Sequence, residues 1–133
     1  MKFSYEGRTI HVNMPDQPAL LAELQRRFRA GEGFALATLN LDHLVKLRQD
    51  PGFRNAYAAH DLVCADGNPI VWLSRLARQP LTLVPGSDLV LPLARLAADE
   101  GVPVALVGTT DAALAAAADS LTRQAPGLRI VAR

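Results

Sequence analysis

Short, unbroken apolar runs alternate along most of the chain with segments of helical periodicity. Apolar runs of four or five residues between turn signals are typical of strands that are buried on both faces of a sheet. Four segments are predicted to be such strands: Phe34–Thr38, Asp61–Ala65, Pro103–Val107 and Leu128–Ala132. Because helical segments separate them, the pattern predicts an α/β fold, a Rossmann-like parallel sheet with helices on both faces.

The helices are predicted from apolar spacing and from capping residues. They cover a segment from an Asp16 N-cap to a Gly31 stop, Asp42–Gln49 with Asp42 as cap, a short segment around Phe53, Ala56 and Tyr57, Asn68–Arg78, a segment from a Ser87 or Asp88 cap to Glu100, and Thr110–Gln124. Pro92 predicts either a kink or a later start in the fifth of these. Trp72 lies on an apolar stretch of the fourth, so we expect it to pack in the core.

The N-terminal segment has a strand pattern instead. Lys2–Tyr5 and Arg8–Val12 flank Glu6-Gly7, a two-residue turn with glycine second, which predicts a β-hairpin. Leu81–Val84 is predicted to be a short extended piece. With 133 residues and no visible linker or repeat, we expect a single domain, made of the hairpin at residues 1–14 and the α/β core at residues 15–133.

Composition restricts the class of protein further. Lys and Arg total 14 and Asp and Glu total 13, so the net charge of +1 argues against an electrostatically bound nucleic-acid partner and against a polybasic membrane arm. The single cysteine, Cys64, excludes an internal disulfide. The N-terminus lacks the apolar core of a signal peptide, and no apolar run reaches the roughly 20 residues of a spanning helix. We therefore expect a soluble, cytoplasmic domain.

Polar residues follow the first buried strand at Thr38 and Asn40. A hydroxyl and an amide at the carboxyl end of a parallel strand can orient a sugar or a phosphate. The plainer interpretation is that Asn40 or Asp42 only caps the next helix, and the pattern alone favours it.

Asp66 follows the second buried strand and precedes Gly67 and Asn68. A rigidly held carboxylate beside a glycine that permits close ligand approach is a common arrangement for a general acid or base. Asp-Gly is also a strong turn signal. From the residues alone, the two interpretations are equally good.

Gly108 and Thr109 follow the third buried strand and lead into a helix. A helix N-terminus can bind phosphate, but neither of the glycine-rich phosphate motifs is present. An ordinary N-cap at Thr110 or Asp111 is the better interpretation.

Several other chemistries are not indicated. The histidines are scattered and Cys64 has no partner at metal-ligand spacing, so we expect no metal site and no cofactor. The sequence has no D-x-D, which argues against a metal-dependent sugar-nucleotide site. It also lacks the G-x-S-x-G of α/β-hydrolases and the G-x-G-x-x-G of dinucleotide-binding dehydrogenases.

Seven short motifs occur in a fixed order: TLN at Thr38–Asn40, DPGFR at Asp50–Arg54, DLVCADG at Asp61–Gly67, IVW at Ile70–Trp72, GSDL at Gly86–Leu89, VALVG at Val104–Gly108 and PGLRIV at Pro126–Val131. In order and spacing this set resembles the WecG/TagA/CpsF family of bacterial glycosyltransferases, from about Phe34 to Ala132.

The resemblance implies an inverting, metal-independent transfer from a UDP-sugar to a polyprenyl-diphosphate-linked sugar in cell-surface polysaccharide synthesis. The donor sugar would be of the N-acetylmannosamine type or a hexose. Asp66 matches the family's proposed general base, and Thr38 and Asn40 match residues that line its pocket. The remaining residues assigned to substrate binding by position are Gly67, Asn68, Gly86, Ser87, Asp88, Gly108 and Thr109. Peripheral contact with the inner face of the membrane and homo-oligomer formation stay open.

The sequence departs from the family pattern at two positions. Leu83 replaces an arginine that could touch phosphate, and Thr109 replaces a second glycine. Family members also continue beyond the position of Arg133, so we expect this chain to correspond to the N-terminal part of their catalytic domain. The alternative hypothesis is a catalytically incomplete α/β module that binds a nucleotide or a partner.

Overall fold

A computed structural model describes all residues from Met1 to Arg133. It contains six strands and six helices in the order β1 (Lys2–Tyr5), β2 (Arg8–His11), α1 (Gln17–Ala30), β3 (Leu36–Leu39), α2 (Leu41–Gln49), α3 (Pro51–Ala58), β4 (Leu62–Ala65), α4 (Asn68–Leu76), α5 (Gly86–Asp99), β5 (Val104–Ala105), α6 (Asp111–Gln124) and β6 (Ile130–Ala132).

The strands pair in three separate two-stranded sheets. β1 and β2 form the predicted antiparallel hairpin, and its turn residues Glu6 and Gly7 both have positive φ, of 42° and 80°. β3 pairs in parallel with β4, and β5 pairs in parallel with β6. The α/β class and the N-terminal hairpin are confirmed, and the parallel strands occur as two pairs that no ladder joins.

The two faces of β4 explain the layered architecture. Val63 and Ala65 face a core built with the hairpin and with α2, α3 and α4, whereas Leu62 and Cys64 face a core built with α1 and α5. Successive strand residues point to opposite faces, so the unbroken apolar run LVCA serves both cores. Helices therefore cover both faces of the β3–β4 pair, as predicted.

The outer edge of β4 is covered by the segment that follows the hairpin. The Asn13 side chain accepts the Val63 N–H at 2.9 Å and donates to Asp61 O at 2.7 Å. The backbone N–H groups of Asn13 and Met14 donate to Val63 O. These bonds give partners to backbone N–H and C=O groups at the edge of a short buried strand. Without partners, such groups can pair with a strand of another chain.

The buried side chain of Arg54, in α3, contacts both the end of α2 and the turn of the hairpin. Its Nε and Nη2 atoms donate to the carbonyl oxygens of Leu47 and Arg48 at the end of α2, at 2.8 and 3.2 Å. Its Nη1 atom lies 2.6 Å from the carboxylate of Glu6. The guanidinium thus satisfies carbonyls that have no partner at the end of a helix.

Helix starts differ from the predicted ones in two places. Asn40, not Asp42, caps α2, because its Oδ1 accepts the His43 N–H at 3.0 Å. The predicted cap at Ser87 or Asp88 is wrong, because α5 begins at Gly86 and has no side-chain cap of its own. The helix also continues through Pro92, so a later start is wrong as well.

One further expectation needs correction. Trp72 is 63% exposed, because α4 buries Ile70, Val71 and Ser74 and a residue at position 72 lies on the opposite side of such a helix. Leu81–Val84 lies outside the strands. The Thr82 N–H donates to Pro15 O, and the Val84 N–H donates to Ala65 O.

Candidate active site

Thr38 and Asp66 meet where β3 and β4 end. The register pairs Leu39 with Ala65, so the residues around these two positions share one edge of the sheet. Thr38 Oγ1 donates a hydrogen bond to Asp66 Oδ2 at 3.0 Å. The contact follows from the fold, because the carboxyl ends of neighbouring parallel strands lie side by side.

The first residue of α5 completes this arrangement. The Gly86 N–H donates to the same Asp66 Oδ2 atom at 3.3 Å. Glycine suits the position, because an added Cβ would lie 3.3 Å from Thr38 Oγ1 and 3.6 Å from Asp66 Oδ2. One carboxylate oxygen is thus fixed by a side-chain hydroxyl and a backbone amide.

The other carboxylate oxygen, Asp66 Oδ1, has no hydrogen-bond partner in the chain, and the residue is only partly buried. A carboxylate with one oxygen held and the other open can accept a proton from a bound hydroxyl. Asp66 Oδ1 is therefore the candidate atom for this role.

Asn40 combines capping with an open amide. Its Oδ1 accepts the His43 N–H, and its Nδ2 makes no hydrogen bond within the chain. Its Cβ would lie 3.8 Å from a Cβ placed on Gly67, whose φ of 127° favours glycine. The capping interpretation is therefore correct for the carbonyl oxygen, and the amide group remains able to donate to a ligand.

Two residues that sequence reasoning did not assign to the site lie behind Thr38. The Tyr57 hydroxyl donates to Thr38 O, and His43 Nδ1 lies 3.1 Å from the same oxygen and 3.2 Å from the hydroxyl. Burial raises the pKa of Tyr57 to about 12, with Asp66 contributing, so the phenol stays a donor at neutral pH. The available signal was a tyrosine at an apolar helix position, because a buried hydroxyl needs a partner.

Cys64 lies in β4 and is fully buried. Burial raises the pKa of its thiol to about 11, with a further contribution from the Asp66 charge. A protonated, inaccessible thiol is a poor nucleophile, so Cys64 is a core residue.

The remaining predicted residues lie at the rim of this edge or apart from it. Asn68, Ser87 and Asp88 are exposed in the first turns of α4 and α5, and the Ser87 hydroxyl donates to Asp88 Oδ1 at 3.3 Å. Gly108 and Thr109 form an exposed loop that makes no hydrogen bond to Asp66.

Thr110, which follows that loop, caps α6 through a 3.3 Å bond from Ala113 N to its hydroxyl. The favoured capping interpretation is confirmed there. Thr109 has a φ of 33°, in the left-handed region that favours glycine.

The two cavities lie away from Asp66. One of about 570 Å³ is almost wholly apolar and lies between α1, α5 and β5, and one of about 550 Å³ lies beside α6 and β6. No group of three or more His, Cys, Asp or Glu side chains is placed to hold a metal ion. None of the helices is long and apolar enough to cross a bilayer.

A partly open carboxylate at the carboxyl ends of two parallel strands defines an α/β protein with a candidate acid–base site. A family model described as the glycosyl transferase WecG/TagA/CpsF family matches residues 7–133, a range that also includes β2 and α1. The chain belongs to this family of glycosyltransferases. Comparison with curated proteins gave no match.

Proposed function

We propose that this glycosyltransferase moves a sugar from a UDP-sugar to a polyprenyl-diphosphate-linked sugar, with inversion at the anomeric carbon and without a metal ion. The observation that carries the proposal is the Asp66 carboxylate, with Oδ2 held by Thr38 and Gly86 and Oδ1 open. The transfer needs one base, fixed beside the acceptor hydroxyl, and Asp66 is the residue that we assign to this role.

In this mechanism Asp66 Oδ1 takes the proton of the acceptor hydroxyl. The acceptor oxygen forms the new bond to the anomeric carbon on the face opposite the diphosphate, and the bond to UDP breaks. Thr38 and Gly86 keep the carboxylate from rotating away, which lowers the entropic part of the barrier.

Substrate would be oriented by the polar groups around this edge. The open Nδ2 of Asn40 is suited to a sugar hydroxyl or a phosphate oxygen, and Gly67 lets a ligand approach the backbone closely. Asn68, Ser87 and Asp88 are proposed contacts at the exposed rim, and Gly108 and Thr109 are proposed contacts from the separate loop after β5.

The proposed cellular role is cell-surface polysaccharide synthesis in the cytoplasm, at the inner face of the membrane where a lipid-linked acceptor would be held. The proposed donor is a UDP-linked N-acetylmannosamine-type sugar or a hexose. Transfer from either donor releases UDP, so one assay of UDP release with several donors tests both possibilities.

The experiment measures UDP release from a panel of UDP-sugars, with and without a short-chain lipid-diphosphate-N-acetylglucosamine acceptor. We expect acceptor-dependent release that Asp66→Asn abolishes. The matched control is Asp99→Asn, the same change at an exposed carboxylate about 20 Å along α5 from Gly86. Equal release by wild type and Asp66→Asn would overturn the role of Asp66.

Leu83 favours a second candidate function, a catalytically incomplete module that binds a nucleotide or a partner. Its apolar side chain is 37% exposed three residues before Gly86, where the family pattern has arginine. No release by a folded wild-type chain that still binds UDP in calorimetry would favour this candidate. Leu83→Arg would then be expected to strengthen UDP binding, because a guanidinium pairs well with a diphosphate.

A further inference from the structure

Helix α4 exposes an apolar face that nothing in the chain covers. Trp72 is 63% exposed, Leu73 40% and Leu76 81%, while the opposite face of the helix is buried. Trp72 and Leu76 are four residues apart and therefore neighbours on the helix surface. We call the exposed residues Trp72, Leu73, Leu76, Arg75 and Arg78 the α4 patch.

The arginines of the α4 patch have no acidic partners. Both are exposed, and neither forms an ion pair. The sequence from Gly67 to Ser87 contains no Asp or Glu at all. In contrast, the arginines of α1 are paired with carboxylates, among them Arg29 with Glu100 at 2.8 Å. Arg75 and Arg78 therefore place unpaired positive charge beside the exposed apolar side chains of the patch.

The position of the patch relates it to the candidate site. α4 begins at Asn68, two residues after Asp66, so Trp72 and Leu76 lie about 6 and 12 Å along the helix from the end that is next to the candidate site. An enzyme whose acceptor is anchored in a bilayer must bring that site close to the lipid surface.

We propose that the α4 patch docks on an anionic lipid bilayer, with Trp72, Leu73 and Leu76 at the boundary between headgroups and acyl chains and the arginines beside lipid phosphates. The role of this docking, which is to bring the enzyme to a lipid-linked acceptor, rests on the proposed function. The docking itself does not depend on it. Tryptophan favours this boundary because its ring is apolar with one polar N–H, and unpaired arginines are attracted to anionic headgroups.

Charge complementarity favours a bilayer over a second copy of the chain. Pairing two α4 patches face to face would bring Arg75 and Arg78 of both copies together without a carboxylate between them. Like charges placed opposite each other in an interface oppose association. An anionic surface neutralises the same charges.

Trp72 is the single tryptophan of the chain, so its fluorescence reports on the patch directly. The experiment adds phosphatidylcholine vesicles, or vesicles that are about one third phosphatidylglycerol, to the full chain and measures the emission maximum and cosedimentation. We expect a blue shift and cosedimentation with the anionic vesicles, both weakened by salt because headgroup attraction is screened. Neutral vesicles should give much weaker binding.

The variants separate charge from apolar contact. Arg75→Gln and Arg78→Gln should each weaken partitioning about fivefold, and Leu76→Ser should weaken it at any salt concentration. The matched controls are Arg123→Gln, an exposed arginine of α6 without an ion pair, and Val107→Ser, at an apolar residue that is 95% exposed. Circular dichroism and unfolding midpoints establish that each variant is folded.

Three results would overturn the proposal: no binding to anionic vesicles, binding that the patch variants leave unchanged, or a blue shift without vesicles that rises with protein concentration. The last would identify a second copy as the occupant, and sedimentation equilibrium would show the dimer. Asp66→Asn should bind vesicles like wild type and still lose UDP release. Failure of docking and failure of the catalytic proposal are therefore distinguishable.

Discussion

The Gly86 N–H donates to Asp66 Oδ2 at 3.3 Å, so helix α5 begins on the carboxylate of the candidate base. α5 has no side-chain cap from its own residues, and this carboxylate supplies an acceptor to its first residue. Negative charge at a helix N-terminus is favourable, because the backbone N–H groups there have no partners within the helix. Asp66 thus joins a strand end, a helix start and the open oxygen of the site.

Gly86→Ala is expected to lower activity more than stability. The new Cβ would lie 3.3 Å from Thr38 Oγ1, so the hydroxyl must move by a few tenths of an ångström and its bond to Asp66 weakens. Alanine is also the better helix former, which offsets part of the strain. We expect kcat to fall about tenfold, equivalent to about 1.4 kcal/mol in the barrier.

The measurement is kcat together with the urea unfolding midpoint. Gly33→Ala is the control, because an added Cβ at that position meets nothing within 4 Å. A loss of kcat no greater than in Gly33→Ala would argue against the contact at Gly86.

Thr38→Val tests the hydroxyl that holds Asp66. Valine keeps the shape and removes the donor to Oδ2, so the carboxylate gains freedom to rotate. A hydrogen bond to a charged group is worth about 1.5–3 kcal/mol, so kcat should fall roughly tenfold to a hundredfold. Thr38→Ser keeps the hydroxyl and should retain most of kcat; equal losses in the two variants would count against this role.

The sequence placed Thr38 and Asp66 at the carboxyl ends of two buried parallel strands, which meet at one edge of a sheet, but it did not predict the hydrogen bond between them. It did not predict Gly86 as the second donor, because that contact depends on where α5 starts after an irregular segment. The local capping pattern pointed to Ser87 or Asp88, but the acceptor comes from a residue twenty positions earlier. A capping pattern in the local sequence cannot reveal an acceptor that comes from a residue distant along the chain.

Trp72 shows a second limit. Apolar character predicted burial, yet the short helix buries Ile70, Val71 and Ser74, and the Ser74 hydroxyl is satisfied by bonds to Val71 O and Leu81 N. A buried serine and an exposed tryptophan reverse the usual preference. Which face a nine-residue helix presents to the core is decided by its tertiary contacts, and the sequence alone does not give those.

Arg54→Leu is expected to destabilise the fold strongly. The substitution leaves the carbonyl groups of Leu47 and Arg48 without their donor and removes the tie to the hairpin turn. We expect the free energy of unfolding to fall by about 2–4 kcal/mol. Urea denaturation measures it.

Glu6→Gln removes only the charged partner of Arg54. Glu6 is 80% exposed, so the loss should stay below about 1 kcal/mol. A loss in Glu6→Gln as large as in Arg54→Leu would mean that the ion pair, and not the carbonyl contacts, holds the hairpin.

Thr109→Gly is expected to stabilise the protein. Thr109 has a φ of 33°, which is unfavourable for a β-branched residue. Relief of the strain exceeds the added chain entropy of glycine by up to about 1 kcal/mol. Thr110→Ala, one residue later, should instead destabilise by about 1 kcal/mol, because it removes the cap of α6. Thermal unfolding shows whether each variant is more or less stable than wild type. Destabilisation by Thr109→Gly would contradict backbone strain at Thr109.

Stability is expected to fall on the alkaline side of neutrality because of Cys64. Burial raises the pKa of its thiol to about 11 in the folded chain, above the ordinary value of about 8.5 in the unfolded chain. Unfolding therefore becomes more favourable as pH rises through this interval, since only the unfolded chain releases the proton easily. Cys64→Ala should flatten the decline, measured as urea midpoints from neutral pH to about pH 11.

The thiol should also react slowly with a disulfide reagent until urea unfolds the chain. Parallel declines in wild type and Cys64→Ala, or rapid labelling of the native thiol, would contradict the buried, protonated state of Cys64.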